Sequence, residues 1–150
     1  MKSLLLPLIA LSVLCCAVIS FADDRAKAEK DFTAAFKRLS EQPNETELRE
    51  LMCWDRVPDK PRWRSQILAG IFATFSKHPQ EIQVEPLSDA TTRLIQLTKE
   101  KSSEEPNINV VCEVKFTLDP PEKTPRTYQV WPVGSKDGQL YLINYVKVAK

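Results

Sequence analysis

The chain has 150 residues, and its 21 lysine and arginine residues against 20 aspartate and glutamate residues give a formal net charge of +1. This near-neutral balance argues against nucleic acid as a partner, because phosphate binding needs a strong excess of basic residues. It also argues against a role driven by attraction to a charged membrane surface. The length suits one domain with a modest core and no second domain.

Residues 1–22 have the pattern of a secretory signal peptide. A single basic residue precedes an uncharged run from Leu4 to Phe21, and the small residues Ser20 and Ala22 suit the −3 and −1 positions of a cleavage site. We expect cleavage after Ala22, which leaves one secreted or periplasmic α+β domain over residues 23–150. An uncleaved membrane anchor is the alternative, since the apolar run is just long enough to span a bilayer.

Cleavage would remove two of the four cysteines and leave Cys53 and Cys112. In an oxidising compartment, a disulfide between these two residues is the expected state. It would close a loop of about 60 residues and stabilise the fold by about 4 kcal/mol if chain entropy dominates. The alternative is a free thiol nucleophile.

Three helices are predicted before the sheet begins. The first spans Asp24 to Leu39, where apolar residues recur on one face. A short second helix follows Asn44, which resembles one half of a capping box with Glu47. The third runs from an expected N-cap at Asp59 to His78 and carries a wide stripe of aliphatic and aromatic residues.

The clearest strand in the sequence lies between Asn107 and Asp119. Apolar and polar residues alternate there, as a half-buried strand requires, because successive side chains point to opposite faces. We expect this strand to lie at the centre of the sheet. Its apolar residues are Val110, Cys112, Val114, Phe116 and Leu118.

The strands on either side of it are less regular. Ile82 to Pro86 predicts an edge strand, because the proline near its end cannot donate to a neighbour. Thr91 to Lys99 is predicted as a strand from its threonines and Ile95, with a helix capped by Asp89 as the alternative. Lys101 to Pro106 is predicted as a polar loop.

Two final strands are predicted at Arg126–Val133 and Gln139–Val148, joined by a hairpin around Gly134 and Lys136-Asp137-Gly138. Helices followed by an antiparallel meander predict an α+β fold. The N-terminal helices would pack on one face of a four- to five-stranded antiparallel meander sheet, in a cone-like arrangement.

The order of these elements resembles the nuclear-transport-factor-2-like domains, which have an α+β cone close to the cystatin-like fold. The last hairpin carries the resemblance, at Tyr128–Val133 and Lys136–Val146. Many members end in Asp-Gly-x-Trp or a similar apolar pair, and here Leu140 and Tyr141 follow Asp137-Gly138. The resemblance implies a fold and leaves function open, because the superfamily includes isomerases, dehydratases and binding modules.

The last strand has apolar residues on both faces, whereas a surface strand needs only one. If its aliphatic face meets the helices, its other face forms an outer patch for a homodimer, another protein or a small apolar ligand. Asn144 would then be either a pocket residue or a buried asparagine with its hydrogen bonds satisfied. The candidate pocket or interface residues are Trp63, Tyr128, Val130, Tyr141, Ile143, Asn144 and Tyr145.

Three further kinds of site can be weighed from the sequence. Asn44-Glu45-Thr46 is an N-glycosylation sequon, which matters only in a eukaryotic source. We expect no metal and no cofactor, because the sequence has neither a cluster of ligating residues nor a glycine-rich phosphate loop. A basic patch could hold an acidic partner or an anionic ligand, with a solvated surface as the alternative. It consists of Arg56, Lys60, Arg62 and Arg64.

These observations favour a small binding domain without a catalytic residue. An enzyme of the isomerase or dehydratase type is the alternative, and it would need a carboxylate or histidine in a pocket between helices and sheet. The inward strand positions are nearly all apolar. A protease inhibitor with the cystatin-like fold is the lesser alternative, because Gln129, Val133 and Gly134 have the wrong spacing for the cystatin wedge motif.

Overall fold

The structure, a computed structural model, describes residues 6–118 and 128–148, with side chains from residue 23 onward. These residues form an α+β fold in which helices pack on a curled antiparallel half-barrel, so the predicted fold class and cone-like arrangement are confirmed. The helices are α1 (Leu6–Glu41), α2 (Glu45–Leu51), α3 (Pro61–Phe75) and α4 (Asp89–Ser102). The strands are β1 (Gln80–Pro86), β2 (Glu104–Pro106), β3 (Val110–Thr117), β4 (Tyr128–Lys136), β5 (Gln139–Leu142) and β6 (Tyr145–Lys147).

The main sheet has the order β1-β3-β4-β5, and all of its neighbours are antiparallel. β3 lies inside this sheet, as its alternating pattern predicts. Its residues Cys112, Val114 and Phe116 point to the face that meets the helices, which we call the core face. The opposite side is the outer face. The predicted strand ends at Asp119 and Arg126 lie outside the described residues.

Aromatic rings fill the space between the helices and the core face. The ring of Phe36 in α1 lies 4.8 Å from that of Phe75, 5.3 Å from that of Phe116 and 6.1 Å from that of Trp131, measured between centroids. Phe36, Phe75 and Phe116 are fully buried. Side chains from α1, α3, β3 and β4 therefore interdigitate in one core, where tilted and edge-on ring pairs are favourable.

The segment predicted as a strand at Thr91–Lys99 is helical and forms the middle of α4. The side chain of Ser88 caps this helix by accepting from the Thr91 backbone N–H at 3.2 Å. The hydroxyl groups of Thr92 and Thr98 donate to backbone carbonyls four residues earlier. The cap stabilises the helix against the weak strand preference of threonine, and the bonds to the preceding turn satisfy the threonine hydroxyls within it. The protein thus has four helices in its described part, one more than predicted.

The carboxylate of Glu113 anchors the start of α4 to the outer face of β3. It accepts from the Ser88 hydroxyl at 2.9 Å and from the Ser88 backbone N–H at 3.2 Å, and only 4% of the residue is exposed. Burial acts to raise the pKa of Glu113, but the hydrogen bonds from Thr91 and Ser88 outweigh it and leave the pKa below its ordinary value.

Two predicted boundaries are wrong around α3. The N-cap is Lys60 and not Asp59, whose carboxylate instead lies 3.3 Å from the Arg64 guanidinium. The helix ends at Phe75 and not at His78, which lies beyond the C-cap Ser76 and has a positive φ of 50°. The Nδ1 atom of His78 lies 2.7 Å from the Ser40 carbonyl oxygen, which ties the end of α3 to the end of α1.

The predicted final strand is divided between two sheets. β5 pairs with β4 through a two-residue loop at Asp137 and Gly138, which have φ values of 51° and 75°, as a tight hairpin needs. The chain leaves the main sheet at Ile143 and Asn144, and β6 then pairs with β2 in a second, two-stranded sheet. The segment predicted as a polar loop therefore ends in strand β2.

Both edges of the main sheet are irregular. In β1 the pairing register shifts between Gln80 and Gln83, where Glu81 has a positive φ of 51°. At the other edge, Met52 forms an isolated bridge with Leu142, and the Cys53 N–H donates to the Leu142 carbonyl at 3.0 Å.

The first helix extends further towards the N-terminus than Asp24, since α1 begins at Leu6. It contains the predicted amphipathic helix and also much of the predicted signal peptide, the first five residues of which lie outside the described residues. Among the residues that the structure describes, no helix combines the length and apolar character needed to cross a membrane.

Candidate functional site

The predicted outer apolar patch is present only in part. Tyr128 and Val130 lie on the outer face of β4, with 60% and 40% of their surfaces exposed. Tyr141 faces the same side but is paired with Gly134, six residues further along β4 and about 20 Å away. Tyr145 belongs to the second sheet and is partly buried, and this burial raises its pKa. The candidate residues therefore form no single patch.

Asn144 is a buried asparagine whose hydrogen bonds are satisfied, and it opens onto no described pocket. Its Nδ2 donates to the Cys53 carbonyl at 2.7 Å, and its backbone N–H donates to Oδ1 of Asn107 at 2.9 Å. The Nδ2 atom of Asn107 donates to the carbonyls of Cys53 and Asp55 at 2.9 and 3.0 Å. This asparagine pair ties the connector after α2 to the point where the chain leaves the main sheet.

The expected disulfide between Cys53 and Cys112 is not formed, and both residues are free buried thiols. Cys112 pairs with Val133 in β4, Val133 pairs with Leu142 in β5, and the Cys53 N–H bonds to Leu142 on its far side. Three inter-strand spacings of about 4.8 Å each, about 14 Å in total, therefore separate the two cysteine backbones. A disulfide needs Cα atoms within about 7 Å. Burial raises the pKa of the Cys112 thiol to about 11, which disfavours the nucleophilic thiolate.

The four residues of the predicted basic patch have different environments. Arg56 binds Glu105 at 2.8 Å, and Arg64 binds Asp59 while its guanidinium lies 5.4 Å from the centroid of the Trp54 ring. Lys60 and Arg62 are exposed and form no ion pair with a residue that the structure describes. They lie three residues and one residue before Trp63, of which 36% is exposed. We call Lys60, Arg62 and Trp63 the basic tryptophan patch.

Asn44, the predicted glycosylation site, is the exposed N-cap of α2. Its Oδ1 accepts from the backbone N–H groups of Thr46 and Glu47 at 2.9 and 3.2 Å. Asn44 therefore makes its half of the predicted capping box, the bonds that its side-chain oxygen accepts from the backbone of α2. Any glycan would be attached to Nδ2 and not to the capping oxygen, so glycosylation at Asn44 stays a prediction that is compatible with this geometry.

A groove between α1, α2 and the β4–β5 hairpin is the site that the sequence did not indicate. It holds about 580 Å³, within the range of ligand pockets. Along α1 it extends from Asp24 to Arg38, about 21 Å at 1.5 Å per residue. Its apolar lining residues are Ala28, Phe32, Ala35, Leu51 and Leu140, together with Tyr141 on β5, the strand at the edge of the sheet.

Carboxylates predominate on the rim of this groove, which we call the acidic groove. Five carboxylates against two cations leave a net charge of −3, although the whole chain is close to neutral. The only ion pair between these groups in the described structure is a long contact of 4.0 Å between Arg38 and Glu47. The charged lining residues are Asp24, Lys27, Asp31, Arg38, Glu47, Glu50 and Asp137.

A weak sequence signal for the groove existed in the spacing of residues on α1 and α2. Asp24 and Asp31 are seven residues apart on α1, and Glu47 and Glu50 are three apart on α2, so each pair lies on one helix face. The sequence does not show that these faces meet beside the tip of a hairpin about 90 residues further along the chain.

Within residues 6–118 and 128–148, no group of three histidine, cysteine or carboxylate side chains could hold a metal ion. Comparison of the chain with models of known protein families finds no match. Comparisons with curated proteins and with solved structures find none either.

Proposed function

We propose that this chain is a secreted or periplasmic binding domain whose acidic groove holds a segment of another protein chain with basic and apolar side chains. The observation that carries the proposal is an apolar floor surrounded by an excess of carboxylates. Apolar contact with the floor supplies affinity, and the carboxylates attract and orient a basic partner. The length of the groove accommodates a segment of up to about 14 helical residues or about six extended residues.

The filled core supports binding over the isomerase or dehydratase alternative. An enzyme of that type needs a titratable group in a pocket between helices and sheet. Here that space is occupied by the rings of Phe36, Phe75, Phe116 and Trp131. The charged rim likewise favours a basic protein segment over a small apolar ligand, which offers no charge complementary to the carboxylates. The resemblance to nuclear-transport-factor-2-like domains stays a prediction.

The proposal is tested by titrating the purified protein with a 14-residue amphipathic peptide that carries lysines on one face and leucines with one tryptophan on the other. Backbone amide chemical shifts measured by NMR would locate the contact. We expect shifts concentrated at α1, α2 and the hairpin tip, and weaker binding at high salt, because exposed charges are screened.

Matched variants separate the groove from general charge attraction. Glu50 and Glu100 are both exposed helical glutamates that pair with no described residue, and only Glu50 lines the groove. Glu50→Gln should weaken peptide binding about two- to fivefold, the worth of one exposed charge contact, whereas Glu100→Gln should leave it unchanged. The proposal would be refuted if Glu50→Gln and Glu100→Gln changed the affinity for the peptide equally. It would also be refuted if a peptide with glutamates in place of the lysines bound as tightly as the lysine peptide.

A further inference from the structure

We infer that the segment held by the acidic groove is the basic tryptophan patch of a second copy of this chain, so that the protein associates head to tail. This inference rests on the proposed function, because it names the partner of the same groove. It draws on two described surfaces of opposite charge that share no residue.

The basic tryptophan patch lies on an ordered backbone at the start of α3. Trp63 is the third residue of this helix, and Pro61 at its first position fixes the backbone. The Lys60 carbonyl accepts from the backbone N–H groups of Trp63 and Arg64, both at 3.0 Å, which orders the first turn. A tryptophan held on an ordered helix loses little conformational freedom on binding, and tryptophan is enriched at the centres of interfaces.

The charge of the patch is available to a partner. The guanidinium of Arg64 is already engaged by Asp59, and its NH2 group donates to the Val57 carbonyl at 3.1 Å. This leaves Lys60 and Arg62, with a combined charge of +2, three residues and one residue before Trp63 and without an ion pair among the described residues. The net charge of −3 at the acidic groove is opposite in sign to this charge of +2.

The position of the two surfaces determines the kind of assembly. The groove is formed by α1, α2 and the hairpin, and the patch by the start of α3. One copy can therefore offer its patch while its own groove receives another copy. An interface between different surfaces is heterologous, and it produces a ring if the rotation closes or a longer chain of copies if it does not.

The test is sedimentation velocity at low salt over about 1 μM to 1 mM protein, a range that covers weak association. We expect the wild-type protein to form species larger than dimers as its concentration rises. Asp31→Lys/Glu50→Lys reverses two exposed groove charges, and Trp63→Glu removes the aromatic ring from the patch. Each variant alone should lose at least about tenfold in association constant, since several interface contacts are lost together.

Mixing these two variants gives the sharpest result. The patch of the groove variant and the groove of the patch variant are both intact, so the mixture should form heterodimers that grow no further. Leu94→Glu is the matched control for Trp63→Glu, because Leu94 is 58% exposed on α4 and lies outside both surfaces. Circular dichroism of each variant establishes that it folds.

Three outcomes would overturn the inference. A wild-type protein that stays monomeric over the whole range but binds the basic peptide refutes self-association and keeps the proposed function. A protein that binds neither the peptide nor itself refutes both. Association that survives in both variants and is lost in Tyr128→Ser would place a homodimer interface on the outer face of β4 and not in the groove.

Discussion

Replacement of Asn107 by alanine should destabilise the fold strongly, although Asn107 does not line the groove. Its side chain makes three hydrogen bonds, to the carbonyls of Cys53 and Asp55 and from the backbone N–H of Asn144. The Cys53 carbonyl would keep its bond from Asn144 Nδ2. The Asn144 N–H would become a buried donor without a partner, which costs about 1–3 kcal/mol, and each further lost bond adds about 0.5–1.5 kcal/mol.

The expected total loss in the free energy of unfolding is about 2–4 kcal/mol, since the two terms partly overlap. Urea denaturation followed by tryptophan fluorescence would measure it, as a fall of about 1–2 M in the midpoint at an unchanged slope. Asn109→Ala is the matched control, because Asn109 is exposed and only its backbone carbonyl, at 2.9 Å from the Ser135 nitrogen, makes a described bond. If Asn107→Ala costs no more than this control, the asparagine pair does not hold the connector to the sheet.

Three other predictions concern the core and its ionisable groups. Because the pKa of Glu113 lies below its ordinary value of 4.5 when folded, its ionised form stabilises the protein above that pH, and the stabilisation is lost as the pH falls through the folded pKa. Glu113→Gln should therefore flatten the acid-side decline in unfolding free energy, and an unaltered decline would contradict the described hydrogen bonds. With a pKa of about 11, Cys112 is thiolate in only about 0.1% of molecules at pH 8, so iodoacetamide should label it after unfolding and not before. If the expected disulfide were present, unfolding without reductant would expose no free thiol. Mass spectrometry would then show no labelling of Cys53 or Cys112. Phe36→Ala, at the centre of four rings, should cost about 3–5 kcal/mol in urea denaturation, and a cost below about 1 kcal/mol would mean that the rings do not pack as described.

The sequence predicted those parts of the fold in which one periodic pattern dominates. The alternation in β3 and the apolar face of α1 were sufficient, because each places its side chains against a single core. At Thr91–Lys99 the strand preference of threonine competed with a helix cap. The Ser88 side chain makes this cap, and Glu113 holds that side chain in place from a strand 25 residues further along, a contact that the sequence does not show.

The candidate site was harder to predict because it depends on how separate elements meet. The outer patch assumed one continuous final strand, but the chain turns at Asn144, whose backbone N–H donates to Oδ1 of Asn107 and whose side chain donates to the Cys53 carbonyl. The Cys53–Cys112 disulfide was expected from the count of cysteines, which contains no information about the two strands that separate them. The acidic groove combines residues from positions 24 and 141, so no local pattern could reveal it.

The irregular edges of the main sheet have a consequence for the solubility of the protein. An open strand edge can recruit a strand from a neighbouring molecule and begin aggregation. In β1 the shifted register at Glu81 and the proline at Pro86 leave little regular backbone for such pairing, and at β5 the bridge from Met52 occupies the end of the edge. We therefore expect these two edges to disfavour strand exchange between molecules and the cross-β aggregation that follows from it.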